Sequence, residues 1–215
     1  MSQAAAADHG QVDTYENPLT PESWPKLAMW IFLAGDAMSF GGLLAAYGAL
    51  RFSLGPCTEG VTTLCWPYPA NVLGVALTGF MTFLLICSSV TMVKALAAIQ
   101  DGDQQRLVRF LGLTILGGLT FLALQAYEWT HIIHEGLTLS GNPWGAAQFG
   151  TTFFMTTGFH GCHVFAGVVY LSVVLIKAMR GGYSKTNWNG VETVGLYWHF
   201  VDLIWILVFT FIYLI

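Results

Sequence analysis

Charge is what this sequence has least of. Asp, Glu, Lys and Arg make up 9% of its 215 residues, against roughly 25% in an ordinary soluble domain. With 55% hydrophobic residues and a net charge of −4, a soluble globular domain is excluded. The eight Lys and Arg residues form no basic patch, so nucleic acid is excluded as a partner. The opening segment has neither the positive n-region nor the apolar core of a signal peptide. Residues 1–25, acidic at Asp8, Asp13, Glu16 and Glu22 and carrying Pro18, Pro21 and Pro25, read instead as an uncleaved polar tail on one membrane face. There is no internal repeat, no phosphate-cradling glycine loop and no Ser/His/Asp nucleophile pattern. Cysteines number four, and the closely spaced pair, Cys57 and Cys65, has no His or Met between or beside it that would complete a dinuclear copper motif.

What is present is long apolar runs. Five of them reach the ~20 residues that a spanning helix needs: Lys26–Leu50, Asn71–Val93, Leu107–Tyr127, Phe149–Ile176 and Val194–Ile215. Residues 26–215 therefore form one all-α, polytopic membrane domain. The cations lie at the edges of the runs. Lys26, Lys94, Arg106, Arg109, Lys177, Arg180 and Lys185 fall on one side and only Arg51 on the other. The positive-inside rule then places the N-terminus inside and the C-terminus outside. That orientation puts Cys57 and Cys65 in the external loop 51–70, where a short-loop disulfide is expected in an oxidising compartment, with two free thiols as the alternative. Cys87 and Cys162, within spans, are expected to be small buried hydrophobes.

Polar groups inside the spans carry the functional question. At about 1.5 Å per helical residue, Asp36 and His160 lie near mid-membrane, with His163, His199 and Asp202 toward the inner half. His160 and His163 are spaced i,i+3, as are His199 and Asp202, so each pair shares a helix face. Such groups are expensive in lipid and mark either a site or inter-helix glue. Three readings stay open on these residues: a structural polar network, a proton-accessible or headgroup site around Asp36, and a metal site. The third rests on Glu128-x-x-His131, half of a di-iron motif that requires the pair twice; Glu128, His131 and His134 also lie at the outer edge, away from the other histidines. Glycines such as Gly41, Gly42, Gly48, Gly117, Gly118, Gly158, Gly161 and Gly167 are expected to let helices approach closely.

Three segments are specific enough to carry a resemblance. They are Phe153 to Gly167, which contains Thr156-Thr157-Gly158-Phe159-His160-Gly161-Cys162-His163; Leu124-Gln125-Ala126-Tyr127-Glu128; and Tyr197-Trp198-His199-Phe200-Val201-Asp202 with Trp205. Together they resemble subunit III of the haem–copper respiratory oxidases, in the short five-span bacterial form, in one register from about Met29 onward. The resemblance implies a non-catalytic subunit of a bacterial plasma-membrane complex that reduces oxygen to water and pumps protons. Haem and copper then reside in the partner subunits I and II, and this chain binds no cofactor or metal. It also implies a V-shaped cleft, the first two spans against the other three, holding bound phospholipid, and a role in proton uptake and turnover stability. The complex can join a larger respiratory supercomplex.

Residue by residue, Asp36 falls where the family has an intramembrane carboxylate, often Glu, and Lys177 where a basic residue contacts a lipid phosphate. Glu128, His160, His163, His199 and Asp202 fall at structural or lipid-supporting positions, whereas His131 and His134 do not match the long form. The motif around His160 is more similar to the cytochrome c branch than to the quinol branch. Two other classes stay as contrasts: a self-contained membrane metalloenzyme around Glu128, His131 and His134, and a proton-coupled transporter carried by Asp36.

Overall fold

The computed structural model describes residues 24–57 and 65–215, so the expected polar tail lies, up to residue 23, outside the described residues. The elements are α1 (Trp24–Leu54), a short α2 (Pro69–Val72), α3 (Val75–Asp101), α4 (Gln104–His134), α5 (Ala147–Met179) and α6 (Asn189–Val208). A π-helical segment, Phe209–Leu214, continues α6. Five of these helices are long and apolar enough to cross a membrane, so the chain is an all-helical, multi-pass membrane protein. Helix is what lipid demands of such runs, because every backbone N–H and C=O must be satisfied within the segment. The first, third and fourth spanning helices extend past the predicted runs at both ends. The second run, Asn71–Val93, is broken after α2, so that α3 starts at Val75 and extends past the run only at its far end. The last helix extends past its run only at its start.

Local signals set the turns. α3 stops at Gly102, whose φ of +83° lies in the left-handed region that glycine tolerates and whose N–H returns to the Ala98 carbonyl. Asp103 then caps α4, accepting from the Arg106 N–H at 3.0 Å. A two-residue connection thus folds α3 and α4 into a tight antiparallel hairpin. On the opposite membrane side Cys57 and Cys65 are joined by a disulfide. The Cys57 N–H reaches the Trp66 carbonyl at 3.1 Å, and the Ala146 N–H reaches the Cys65 carbonyl at 2.9 Å, which pins this loop to the start of α5.

The core lies among α3, α4, α5 and α6. α3 packs on α4 and α6, α4 on α5, and α5 on α6, while α1 lies on α5 and α6. This corrects the expected grouping of the first two spans as one arm: the first span packs against the last two. The cause is the pattern of α1, whose buried side chains are Leu33, Asp36, Phe40 and Tyr47, a single narrow stripe. Its glycines are not the contact. A Cβ placed on Gly35, Gly41, Gly42 or Gly48 would meet nothing within 4 Å. Close approach occurs instead at Gly118, where a Cβ would lie 2.6 Å from Trp198, and at Gly167, where it would lie 3.0 Å from the same ring. Cys87 and Cys162 are also corrected: both are exposed on the outside of the bundle, because their helices turn other faces inward.

Candidate functional site: polar contacts between the spans

Hydrogen bonds between α3 and α6 form an antiparallel ladder. The indole N–H groups of Trp198 and Trp205 donate to Ser88 Oγ and Thr82 Oγ1, each at 3.0 Å. Between them, Ser89 Oγ donates to Asp202 Oδ2 at 2.6 Å, and His199 Nδ1 lies 3.3 Å from the same Oγ. Ser, Asp and His therefore meet, but in the wrong order for a nucleophile. The hydroxyl proton points to the carboxylate, whereas an activated serine would give it to the imidazole. The arrangement links α3 to α6.

At the far end of the ladder, Glu128 on α4 is 3% exposed. Its Oε1 accepts from Thr78 Oγ1 at 2.8 Å and its Oε2 from the Tyr213 hydroxyl at 3.1 Å. The π-helical turn delivers Tyr213 to this position. Glu128 and His131 do not converge on one point: His131 is 61% exposed at its side chain and pairs with Glu135 at 3.6 Å. Among the described residues, no group of three or more His, Cys, Asp or Glu side chains is placed to hold a metal ion.

Nearer mid-membrane, His163 Nε2 lies 3.2 Å from Asp36 Oδ1. His163 Nδ1 lies 2.8 Å from the Phe159 carbonyl, an acceptor, so Nδ1 must carry a hydrogen. Nε2 is thereby left to face the Asp36 carboxyl group across the interface of α1 and α5. The Tyr197 hydroxyl donates to the His163 carbonyl at 2.9 Å, and Phe40 covers the imidazole at 5.2 Å. His160, one turn earlier, is fully buried among aromatic rings.

Lys177 does not join Asp36. It is exposed in the last turn of α5, with its ammonium 4.9 Å from the Tyr183 ring centroid. Fourteen residues separate it from His163, about 21 Å along a helix at 1.5 Å per residue. Burial, with Tyr170 nearby, holds the Tyr183 phenol above its usual range, so the ring beneath the cation stays neutral. Sequence reasoning missed the hydroxyl partners Thr78, Ser89 and Tyr213, because single hydroxyls in apolar helices carry no spacing signal. It also missed the ion pair of Lys26 with Glu192 at 3.0 Å, which clasps the start of α1 to the start of α6.

Residues 20–215 match the family model described as Cytochrome c oxidase subunit III. The chain belongs to that family. Among relatives, cytochrome c oxidase subunit 3 of Corynebacterium diphtheriae is 36% identical, covering 86% of this chain and 85% of the relative. The Synechocystis protein of the same name is 37% identical over 89% of this chain and 77% of its own length. A probable quinol oxidase subunit 3 of Staphylococcus saprophyticus is 33% identical over 88% of each. Membership thus makes the chain a subunit III of the haem–copper oxidase type, with relatives on both electron-donor branches. The residues that carry the resemblance fall at the helix contacts just described: His163, Tyr197, Trp198, His199, Asp202, Trp205 and Glu128 all bond or pack across helix interfaces.

Proposed function

We propose that this chain is the non-catalytic subunit III of a proton-pumping cytochrome c oxidase in a bacterial plasma membrane. It sits beside subunit I, which carries the oxygen-reducing haem and copper, with subunit II delivering electrons from cytochrome c. The observation that carries this reading is the family match over residues 20–215, combined with polar side chains that are engaged helix to helix. Asp36 is matched by His163 and Glu128 by two hydroxyls, contacts that support a role in holding spans in register. Lys26, the turn between α3 and α4, and Lys177 with Arg180 and Lys185 define the inner face. Exposed Lys177 at that face suits a phospholipid phosphate, and Asp36 on the loosely packed first span suits support of proton uptake and prolonged turnover.

The test is to purify the oxidase through a tag on this chain and assay it with reduced cytochrome c and with quinol. Cytochrome c oxidation, with a co-purifying subunit that bears a copper-binding Cys pair, is the expected result. Asp36→Ala should leave the complex assembled while shortening its active lifetime and reducing bound phospholipid. Unchanged lifetime and lipid would remove that role for Asp36. The second reading, a quinol oxidase of the same superfamily, is favoured by the Staphylococcus relatives at 33% and 34% identity. Quinol oxidation without cytochrome c oxidation would establish it.

A further inference from the structure

One cation stands alone at the outer end of the bundle. Arg51 lies in the last turn of α1, and the other seven lysines and arginines fall on the opposite side. Among the described residues no carboxylate pairs with it; the ion pairs there are made by Lys26, Arg106, His131 and His163. Its guanidinium is nevertheless held in place. The Tyr47 hydroxyl, one turn back on α1, accepts from the Arg51 side chain and donates to the Ile212 carbonyl at 3.4 Å. One terminal nitrogen, Nη1, is buried and has no partner. A buried charged donor left unpaired is costly, and its natural complement is an anion.

Arg51 lines a cavity of about 550 Å³ between the end of α1 and residues 66–68, which the Cys57–Cys65 disulfide ties to it. The walls are fixed by the backbone. The Trp66 N–H donates to the Gly55 carbonyl at 2.7 Å, and the Cys57 N–H to the Trp66 carbonyl at 3.1 Å. The Trp66 indole, 2% exposed, stands edge-on against Tyr47 at 5.1 Å and Phe149 at 5.4 Å. Phe52, Pro56 and Tyr68 also line the cavity, and Arg51 is the one charged residue among the described lining.

Depth selects the kind of anion. Arg51 lies 25 residues beyond Lys26, about 37 Å along a helix at 1.5 Å per residue. The hydrocarbon core is about 30 Å thick, so with Lys26 at one headgroup layer Arg51 reaches the other. Phe52 and Tyr68, 92% and 55% exposed, flank the cation as aromatic side chains do at a membrane surface. A guanidinium there can grip a phosphate through its fork of N–H donors, while the glycerol and upper acyl chains lie along the rings.

We infer that Arg51, with Trp66 and Tyr68, binds the phosphate group of a phospholipid in the outer leaflet, at the opposite membrane face from Lys177. The site rests on the orientation read from the cations and is independent of the electron donor. A fixed, preorganised cation retains such a lipid better than one that must first be ordered.

The test is cryo-microscopy of the complete oxidase, purified through this chain in a mild detergent with its native lipid. Expected is a phosphate peak within hydrogen-bond distance of the Arg51 guanidinium, continuous with acyl-chain density. An acidic side chain seated on Arg51, or a phosphate-sized peak with no chain attached, overturns the inference. Mass spectrometry of the intact complex should count one phospholipid fewer in Arg51→Gln, and Arg51→Lys should retain part of that binding. Lys177→Gln, at the other face, should leave this lipid in place. Equal lipid counts in Arg51→Gln and the unaltered protein, or loss of the same lipid in Lys177→Gln, also overturn it. Donor oxidation assayed on the same samples keeps the two questions apart, since a quinol-oxidising complex with Arg51-dependent lipid refutes the cytochrome c reading alone.

Discussion

The 3.2 Å contact between His163 Nε2 and Asp36 Oδ1 joins α1 to the bundle at its least packed helix. α1 buries only four side chains, so a polar contact there carries a larger share of its attachment than it would elsewhere. Asp36→Ala should lower the stability of the chain by about 1–2 kcal/mol, the range for polar contacts between membrane helices. Asp36→Asn, which keeps a hydrogen bond to the ring, should lose less. Adding His163→Ala to Asp36→Ala should cost little more, because the partner is already gone. Denaturant unfolding of the three variants in detergent checks the order; a double variant that loses the full sum would show that the two residues act separately.

Glu128 makes a second prediction through its two hydroxyl donors. Removing the carboxylate in Glu128→Ala orphans the buried Tyr213 hydroxyl, which is expected to cost about 1–3 kcal/mol. Tyr213→Phe removes the donor instead and leaves Glu128 with Thr78 at 2.8 Å, so it should be milder. The measurement is again unfolding free energy. Equal losses for Tyr213→Phe and Glu128→Ala would mean that the cost lies in the carboxylate and not in the hydroxyl.

Much of the fold was legible because lipid leaves a sequence few choices. Five apolar runs became five spanning helices, with charged residues at their ends, and the i,i+3 pairs His160/His163 and His199/Asp202 lie on inward-facing stretches. What hydropathy does not encode is which face of each helix meets which neighbour. Gly41 and Gly118 look alike in the sequence, yet one faces open space and the other the indole of Trp198. Cys87 and Cys162 went the same way, read as buried from their depth alone while their helices turn them outward. The hydroxyl partners of Glu128 and Asp202 were hidden for a related reason. A serine or threonine in a span normally bonds its own helix, and only tertiary register shows which ones reach across.

That difference between glycines yields a third prediction. A Cβ on Gly118 would lie 2.6 Å from Trp198 and 2.7 Å from Val168, distances that require either ring or backbone to move. Gly118→Ala should therefore destabilise the chain by about 1–3 kcal/mol, as overpacking does in tight cores. Gly41→Ala, with nothing within 4 Å, should leave the unfolding transition of the isolated chain unchanged. A comparable loss in both would point to helix backbone effects and away from the Trp198 contact.

The four cysteines allow structure and orientation to be tested together. Cys57 and Cys65 are bonded across a separation of 8 residues, and chain-entropy arithmetic gives such a loop about 2.5 kcal/mol of stabilisation. Cys57→Ser with Cys65→Ser should lower stability by roughly that amount, or less where the helices on either side already hold the loop ends together. In intact cells, a membrane-impermeant maleimide should label neither residue until an impermeant reductant is added, and should then label both from outside. Cys87 and Cys162 should resist the reagent before and after, since the faces they occupy meet lipid and a thiol reacts as the thiolate, which lipid disfavours. Labelling of the reduced pair only after the membrane is permeabilised would reverse the orientation read from the lysines and arginines. The inner-face role of Lys177 would then fall with it, because that residue lies at the opposite end of α5 from the disulfide.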